Sequence, residues 1–262
     1  MPTSDDPTES YLPSLIAGNM AELLAGFAGE PLLDDPLAGH VAGAVDFQRF
    51  AAERRAWLEE RSARVEPLRA TRNEQRTVAE NLLHLRLDGT FISLPVAVVG
   101  ERGDGGWLKA MRVYHSLWPL LGEHRVRPAL LKPDPERHLS GAVADYQRAL
   151  ASGDVDAIVN TFEPDGYFRE PAGGEYVYQG RERLREFMSQ ILSAGGITLE
   201  HCTVTDDGIA CAIEFNAVAF GQHPLAPQAG VAVYERGATG RLYGARVYDD
   251  VNVEAYAGSG KD

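Results

Sequence analysis

Residues 145–192 read DYQRALASGDVDAIVNTFEPDGYFREPAGGEYVYQGRERLREFMSQIL. Val143, Tyr146 and Leu150 fall on one face of a first helix. Ser152-Gly153-Asp154 breaks it, and Asp154 is placed to cap a second helix. Val155, Ile158, Val159 and Phe162 then recur at helical spacing, until Glu163-Pro164-Asp165-Gly166 stops the helix and turns the chain. A short strand, 167–170, ends at Pro171. Gly180 opens a third helix with Leu184, Phe187, Met188 and Ile191 on one stripe.

Working outward, four strand candidates follow at 197–204, 209–220, 231–235 and 242–251. The first two are joined by TDDG and the last two by ERGATG. Helices grouped before a meander argue an α+β fold, with three helices packed on one face of a curved, mostly antiparallel sheet.

The first half of the chain repeats this order. Arg112-Val113-Tyr114 is matched by Arg246-Val247-Tyr248, and Val96-Ala97-Val98 by Val231-Ala232-Val233. The Gly-rich turns GERGDGG and ERGATG lie between them, and Asp35-Pro36 and Glu170-Pro171 precede corresponding helices. Four matches in one order indicate a duplicated domain. The expected division is a first, degenerate domain at 10–125, a Pro-rich linker at 126–137, and a second domain with the better-formed site at 138–258. Helices of the first domain are expected near 14–27 and 47–65, and strands near 68–72, 77–87, 90–99 and 108–116.

The stretch 145–192 resembles the opening of a ketosteroid isomerase: Tyr146 on the first helix, the Gly153-Asp154 break, Phe162, the acidic-Pro pair Glu170-Pro171, and Gly180 before the third helix. It is equally similar to the wider nuclear-transport-factor-2-like superfamily, which includes SnoaL-like polyketide cyclases and limonene-type epoxide hydrolases. The resemblance implies two cone-shaped domains, each with a pocket for a small hydrophobic ligand. It also implies roles for two residues: Tyr146 as hydrogen-bond donor to an oxyanion, and Glu170 as general base where the family has the shorter Asp. The family's second oxyanion donor, an Asp on a later strand, has no counterpart: that position falls near Val231.

Proton abstraction beside a carbonyl needs a carboxylate of raised pKa in a dry pocket and a donor where charge develops; ketosteroid isomerase is the standard example of such tuning. Phe162, Phe168, Phe187 and Ile191 make an interior apolar enough to raise Glu170. Tyr146 reads equally as a core tyrosine bonded to a backbone carbonyl, and Glu170 as a solvated strand end. Further pocket candidates are Glu214, Asp249, Arg246, His201 and Asp35. Strand alternation puts Glu214 and Asn216 opposite Ile213 and Phe215 without saying which face is inside. Arg112 and Arg246 suit a structural ion pair in each domain, and His115 stands where the second domain has Asp249. Asp35 reads as structural or vestigial, with no tyrosine expected opposite it on the first helix. The implied activity is isomerisation or cyclisation of a hydrophobic carbonyl compound; epoxide hydrolysis and a non-catalytic binding or dimerisation module are the alternatives.

Composition bounds the partners. The chain has 262 residues, 44% hydrophobic and 24% charged, with net charge -13. That charge repels phosphate backbones and anionic membrane surfaces, so neither nucleic acid nor membrane is an expected partner. Pairing of the two domains within the chain is expected, with homodimer formation open. Cys202 and Cys211 flank a hairpin turn, close enough in sequence to lie near each other across two strands, and are expected as free thiols. No metal spacing, Rossmann glycine pattern or phosphate loop occurs, so no cofactor or metal is expected. The polar start MPTSDDPTES lacks the form of a signal peptide, and no apolar run is long enough to span a bilayer; a soluble cytoplasmic protein is the expectation.

Overall fold

In the computed structural model, residues 6–250 are described; the ends of the chain, including Val251 of the last predicted strand and 251–258 of the expected second domain, lie outside them. The chain divides into two compact units, 1–115 and 116–262.

The first unit runs α1 (Pro7–Ala17), α2 (Met20–Ala25), β1 (Leu32–Asp35), β2 (Gly39–Ala42), α3 (Ala44–Glu60), β3 (Arg64–Arg72), β4 (Arg76–Leu87), β5 (Thr90–Arg102) and β6 (Leu108–Tyr114). The second runs α4 (Trp118–Leu121), α5 (Gly141–Ser152), α6 (Val155–Thr161), β7 (Phe162–Arg169), β8 (Val177–Gln179), α7 (Arg181–Ile191), β9 (Ile197–Asp206), β10 (Ala210–Phe220), β11 (His223–Arg236) and β12 (Leu242–Val247). The sheets have one topology: β2-β1-β6-β5-β4-β3 and β8-β7-β12-β11-β10-β9. Every neighbouring pair is antiparallel except β1 with β6 and β7 with β12. Both units are α+β domains of the cone type, a tandem duplication. The glycines that open α3 and α7, Gly43 and Gly180, share one backbone geometry, φ 84° and ψ 157°. That region is open to glycine and strained for other residues.

In the second unit the helices bury one stripe each against the sheet. Val143, Tyr146 and Leu150 of α5, Ile158 of α6, and Leu184 and Met188 of α7 meet Ile213, Ala232 and Ala245 in one core. Asp154 caps α6, accepting the Ala157 N–H at 2.9 Å. The recurring arginines form the ion pairs that their repetition suggested. Arg112 Nη1 lies 3.0 Å from Glu101, and Arg246 Nη1 lies 2.9 Å from Glu235.

Several expectations are corrected. α1 begins at Pro7, not near residue 14, because Pro13 lies inside the helix instead of marking its start. The chain then breaks at Gly18, so 14–27 is two helices rather than one. The Glu163–Gly166 segment is not a turn; it lies within β7, which starts at Phe162, and the β7/β12 register shifts between Leu242 and Gly244 to absorb it. β11 is far longer than 231–235. The cysteines do not face each other. Cys211 pairs with Asp206, while Cys202 sits in the bulge opposite Glu214 and Phe215; both are free and buried.

Residues 127–134 run from β11, where Pro128 forms an antiparallel bridge with Gln228, to β9. Ala129 N–H donates to Pro227, Ala229 N–H to Arg127, Asp134 N–H to His201, and the Asn216 amide to Leu131 at 3.0 Å. At the wide end of the sheet, the β10–β11 hairpin turns tightly against the end of α7. Gly221 has φ 55°, and a Cβ there would stand 1.9 Å from the Ala194 carbonyl oxygen. Backbone strain and a backbone clash act together at this position. Gly221→Ala is expected to cost about 2–4 kcal/mol, read as a lowered denaturation midpoint for the second domain.

Candidate functional site

The site lies in the second domain, where the helices meet the sheet. An interior cavity of about 90 Å³ is walled mainly by apolar side chains, among them Phe168, Phe187, Phe215 and Phe220, with Tyr146 and Tyr234. Phe162, expected in this wall, is instead buried in the core behind it, edge-on to Tyr146 with centroids 5.8 Å apart. Phe215 and Phe220 have opposite parity on one strand, yet both line the cavity. The β10 register shifts between Ala217 and Ala219, and the extra residue rotates Phe220 inward.

Glu170 stands in the wall, one residue beyond the end of β7. Its backbone N–H donates to Tyr176 O at 3.0 Å, fixing the strand end where the chain turns at Pro171. Its carboxylate accepts a 2.6 Å hydrogen bond from the Tyr178 hydroxyl of β8. Burial raises its pKa; the Tyr178 bond and the nearby His124 act the other way, and burial prevails. The Tyr178 ring is stacked on Phe187 at 3.9 Å, so the donor is held by the pocket wall. Tyr146 projects from α5 into the cavity, fully buried, and burial alone pushes its hydroxyl far above the ordinary tyrosine range. It therefore stays a proton-bearing donor at any working pH.

Tyr234 of β11 escaped the sequence reading. Its ring lies 5.2 Å from that of Tyr146, and its hydroxyl accepts from the Gln147 amide at 2.7 Å. The signal was present in Tyr234 lying two residues beyond Ala232 on one strand face, but a strand tyrosine is unremarkable until the opposing helix is known.

The remaining candidates lie away from this cavity's wall. Glu214, on the opposite sheet face, accepts from the Thr203 hydroxyl at 2.6 Å. Arg246 holds Glu235 and the Tyr167 hydroxyl, the latter at 2.8 Å. His201 meets Gln147 Oε1 at 3.3 Å, and burial lowers its pKa. Asp249 is buried 3.9 Å from Arg127, and its pKa is raised well above the ordinary range, first by burial and then by Asp250. None of the four borders the cavity: Glu214 and Arg246 lie on the sheet face turned from it, Asp249 lies beyond the end of β12, and His201, on the helix side, is held by Gln147 of α5 outside the wall.

A second cavity of about 110 Å³ adjoins Glu170 and Pro171 on their other side. Its wall holds Ser116, Trp118, His124, Ala172, Tyr176 and Asp250. Glu170 thus borders an apolar chamber and a polar one.

The first domain has the same positions and a different outcome. Asp35, at the end of β1, accepts from the Leu37 and Ala38 N–H groups at 2.9 Å and from Arg54 at 2.6 Å. Contrary to expectation, a first-helix tyrosine does accompany it: Tyr11, buried, its pKa raised by burial and then by the Asp35 charge. The late predicted start of α1 hid it. Counted from Gly43 and Gly180, Arg54 occupies the position of Ile191, so a guanidinium sits where the second domain has an apolar wall. Arg54 also lies 5.5 Å from the ring centres of Phe50 and Trp57. Among the described residues no group of three His, Cys, Asp or Glu is placed to hold a metal ion, and no helix is long and apolar enough to cross a membrane.

The SnoaL-like domain family matches residues 143–249, within the second domain. No curated protein matches the chain. Among solved structures, SalBIII is an epoxide hydrolase/cyclase-like enzyme with a role in pyran ring formation in the polyether salinomycin. It is 28% identical, covering 41% of this chain and 86% of its own, with a TM-score of 0.34. A putative polyketide cyclase from Sinorhizobium meliloti is 18% identical over 41% of this chain and 93% of its own, TM-score 0.34. A ketosteroid isomerase-like protein from Catenulispora acidiphila, in complex with trimethylamine, is 16% identical over 45% of this chain and 87% of its own, TM-score 0.36.

Two outcomes follow from the two carboxylates. Arg54→Leu strands a buried Asp35 and is expected to destabilise the first domain by about 3–5 kcal/mol, measured by denaturation. Glu170 behaves oppositely. Its folded pKa is raised, so between the unfolded and folded values the native state binds more protons, and stability falls as pH rises through that window. Glu170→Gln is therefore expected to be more stable than wild type at neutral pH. The gap should close as pH drops below the ordinary carboxylate range, which melting temperatures across pH will read.

Proposed function

We propose that the SnoaL-like domain is a small-molecule enzyme carrying out acid–base isomerisation or cyclisation of a hydrophobic carbonyl compound. The observation that supports this reading most is Glu170: a carboxylate with a raised pKa in the wall of an apolar cavity that also holds the Tyr146 hydroxyl. Glu170 removes a proton from the carbon beside the carbonyl, and the electron pair moves toward the carbonyl oxygen. Tyr146 donates a hydrogen bond to that oxygen as charge develops. An apolar wall strengthens both interactions by excluding water. Tyr178 keeps the carboxylate oriented and prevents its pKa from rising so far that the base is lost. The first domain, whose equivalent carboxylate is neutralised by Arg54, acts as a degenerate partner without this chemistry.

Epoxide hydrolysis of the limonene type is the second reading, favoured by Asp250 bordering the outer cavity together with Glu170. Asp250 accepts from the Ser116 hydroxyl, the Leu117 and Arg125 N–H groups and His124, which leaves it a weak activator of water. Proton abstraction therefore ranks first.

Benzylacetone, an apolar enolisable ketone, is a suitable probe, with exchange of its protons beside the carbonyl followed by NMR in heavy water. Glu170→Gln is expected to lower enzyme-catalysed exchange by roughly 100- to 10,000-fold, and Tyr146→Phe by about 100-fold, with the fold retained. Exchange that persists at the wild-type rate in Glu170→Gln removes the proposal. Tight binding of the probe without exchange in the wild type points to a ligand-binding module instead.

A further inference from the structure

The outer cavity carries a group that the SnoaL-like region does not contain. His124 precedes residues 143–249 and belongs to the segment that enters the second domain. Its Nδ1 lies 3.2 Å from Asp250 Oδ1. Its ring is stacked on Trp118, centroids 4.6 Å apart and planes 11° from parallel. Asp250 holds both ends of this loop, accepting from Ser116 and Leu117 at one end and from His124 and Arg125 at the other. The imidazole is therefore fixed in rotamer by a stack and in tilt by a carboxylate. Among the described residues Nε2 has no partner, and the ring borders the same cavity as Glu170. With a carboxylate accepting from Nδ1–H, the ring carries a second donor at Nε2 in its imidazolium form, which is the form that can deliver a proton there.

Resting on the acid–base reading above, we propose that His124 is the catalytic acid paired with Glu170, and that the substrate is a hydrophobic carbonyl compound bearing a second oxygen β to the carbonyl. The apolar body occupies the inner cavity, the carbon to be deprotonated faces Glu170, and the β-oxygen lies in the outer cavity against His124. Glu170 takes the proton from the carbon beside the carbonyl. The C–H electron pair becomes the C=C bond, and the C–O bond to the β-oxygen breaks. That oxygen leaves with its electron pair and takes the proton from the imidazolium Nε2. A β-hydroxy ketone gives an enone and water; Glu170 ends protonated and His124 neutral, and transfer of one proton from Glu170 to His124 through solvent restores both. Run backward with a hydroxyl of the same molecule, the step closes an oxygen ring. Asp250 is a positioning residue: it acts through the imidazole.

The full chain is tested with two probes: benzylacetone, which has no β-oxygen, and its β-hydroxy derivative, the aldol adduct of acetone and benzaldehyde. Loss of water from the latter gives benzylideneacetone, followed by its ultraviolet absorbance. Wild type is expected to catalyse both exchange and dehydration. His124→Gln, checked for an unchanged melting temperature, is expected to lower dehydration about 100-fold and exchange far less, so that the ratio of the two rates changes. Glu170→Gln should lose both. An equal fall of both rates in His124→Gln, or no fall in dehydration, overturns the role of His124. A wild type that exchanges benzylacetone but does not dehydrate the adduct also overturns it, while the acid–base reading stands. A wild type that does neither overturns both.

Discussion

The parallel pairing of β7 with β12 ties the helical half of the second domain to its meander. Among the described residues two strand pairs run parallel, and each joins the strand that follows the early helices to the last strand of the sheet. A parallel partner cannot be reached by a hairpin; the chain must travel round the whole domain before β12 lies against β7. Once it does, the helices preceding β7 and following β8 are held over the sheet, and a space remains between them. Glu170 follows immediately on the end of that strand, so the pairing also sets the height of the carboxylate in the cavity wall. Gly244 accommodates this closure, since a Cβ there would stand 2.8 Å from both the Tyr167 ring and the Arg246 guanidinium.

The two domains show how little separates an open site from a filled one. Strand order, the glycine before the third helix, a first-helix tyrosine and an acid at the strand end are common to both. Two differences bear on the acid: Arg54 in the first domain stands where the second has Ile191, and Val41 stands where the second has Tyr178. A guanidinium beside a buried carboxylate must pair with it, because an unpaired buried charge costs several kcal/mol. Asp35 is thereby held in an ion pair and a turn, while Glu170, facing aromatic and aliphatic side chains, is pushed toward its neutral form. The same scaffold yields a structural carboxylate or a poised one according to the groups placed around it.

The segment between the two repeats lacks periodicity and carries three prolines between residues 122 and 137, features that suit a connector. Its contacts with the second domain give it more than that to do. Backbone and side-chain hydrogen bonds fasten it to β9, β10 and β11, and its His124, with Trp118 just before it, borders the outer cavity. The half of the site that this segment supplies lies before the region matched by the SnoaL-like family.

By itself, the sequence determined what depends on local periodicity and on repetition: an α+β class, two copies of one arrangement, the helices of the second domain, and the pairing of Tyr146 with Glu170 as residues to watch. These are legible because helical spacing, caps and turn residues act over a few positions. What only the tertiary structure decided concerns which face is inside and what lies opposite. The bulge that turns Phe220 into the cavity, the end of α1 that carries Tyr11, the hydroxyl of Tyr178 on Glu170, and the imidazole held by Asp250 all depend on register or on contacts between residues far apart in the chain. Hydrophobic pattern cannot register a one-residue shift in pairing, nor a contact between residues 124 and 250. The charge state of Glu170 is of the same kind: it is a property of the wall around it, assembled from α5, α7 and five strands, and not of the residues that flank it.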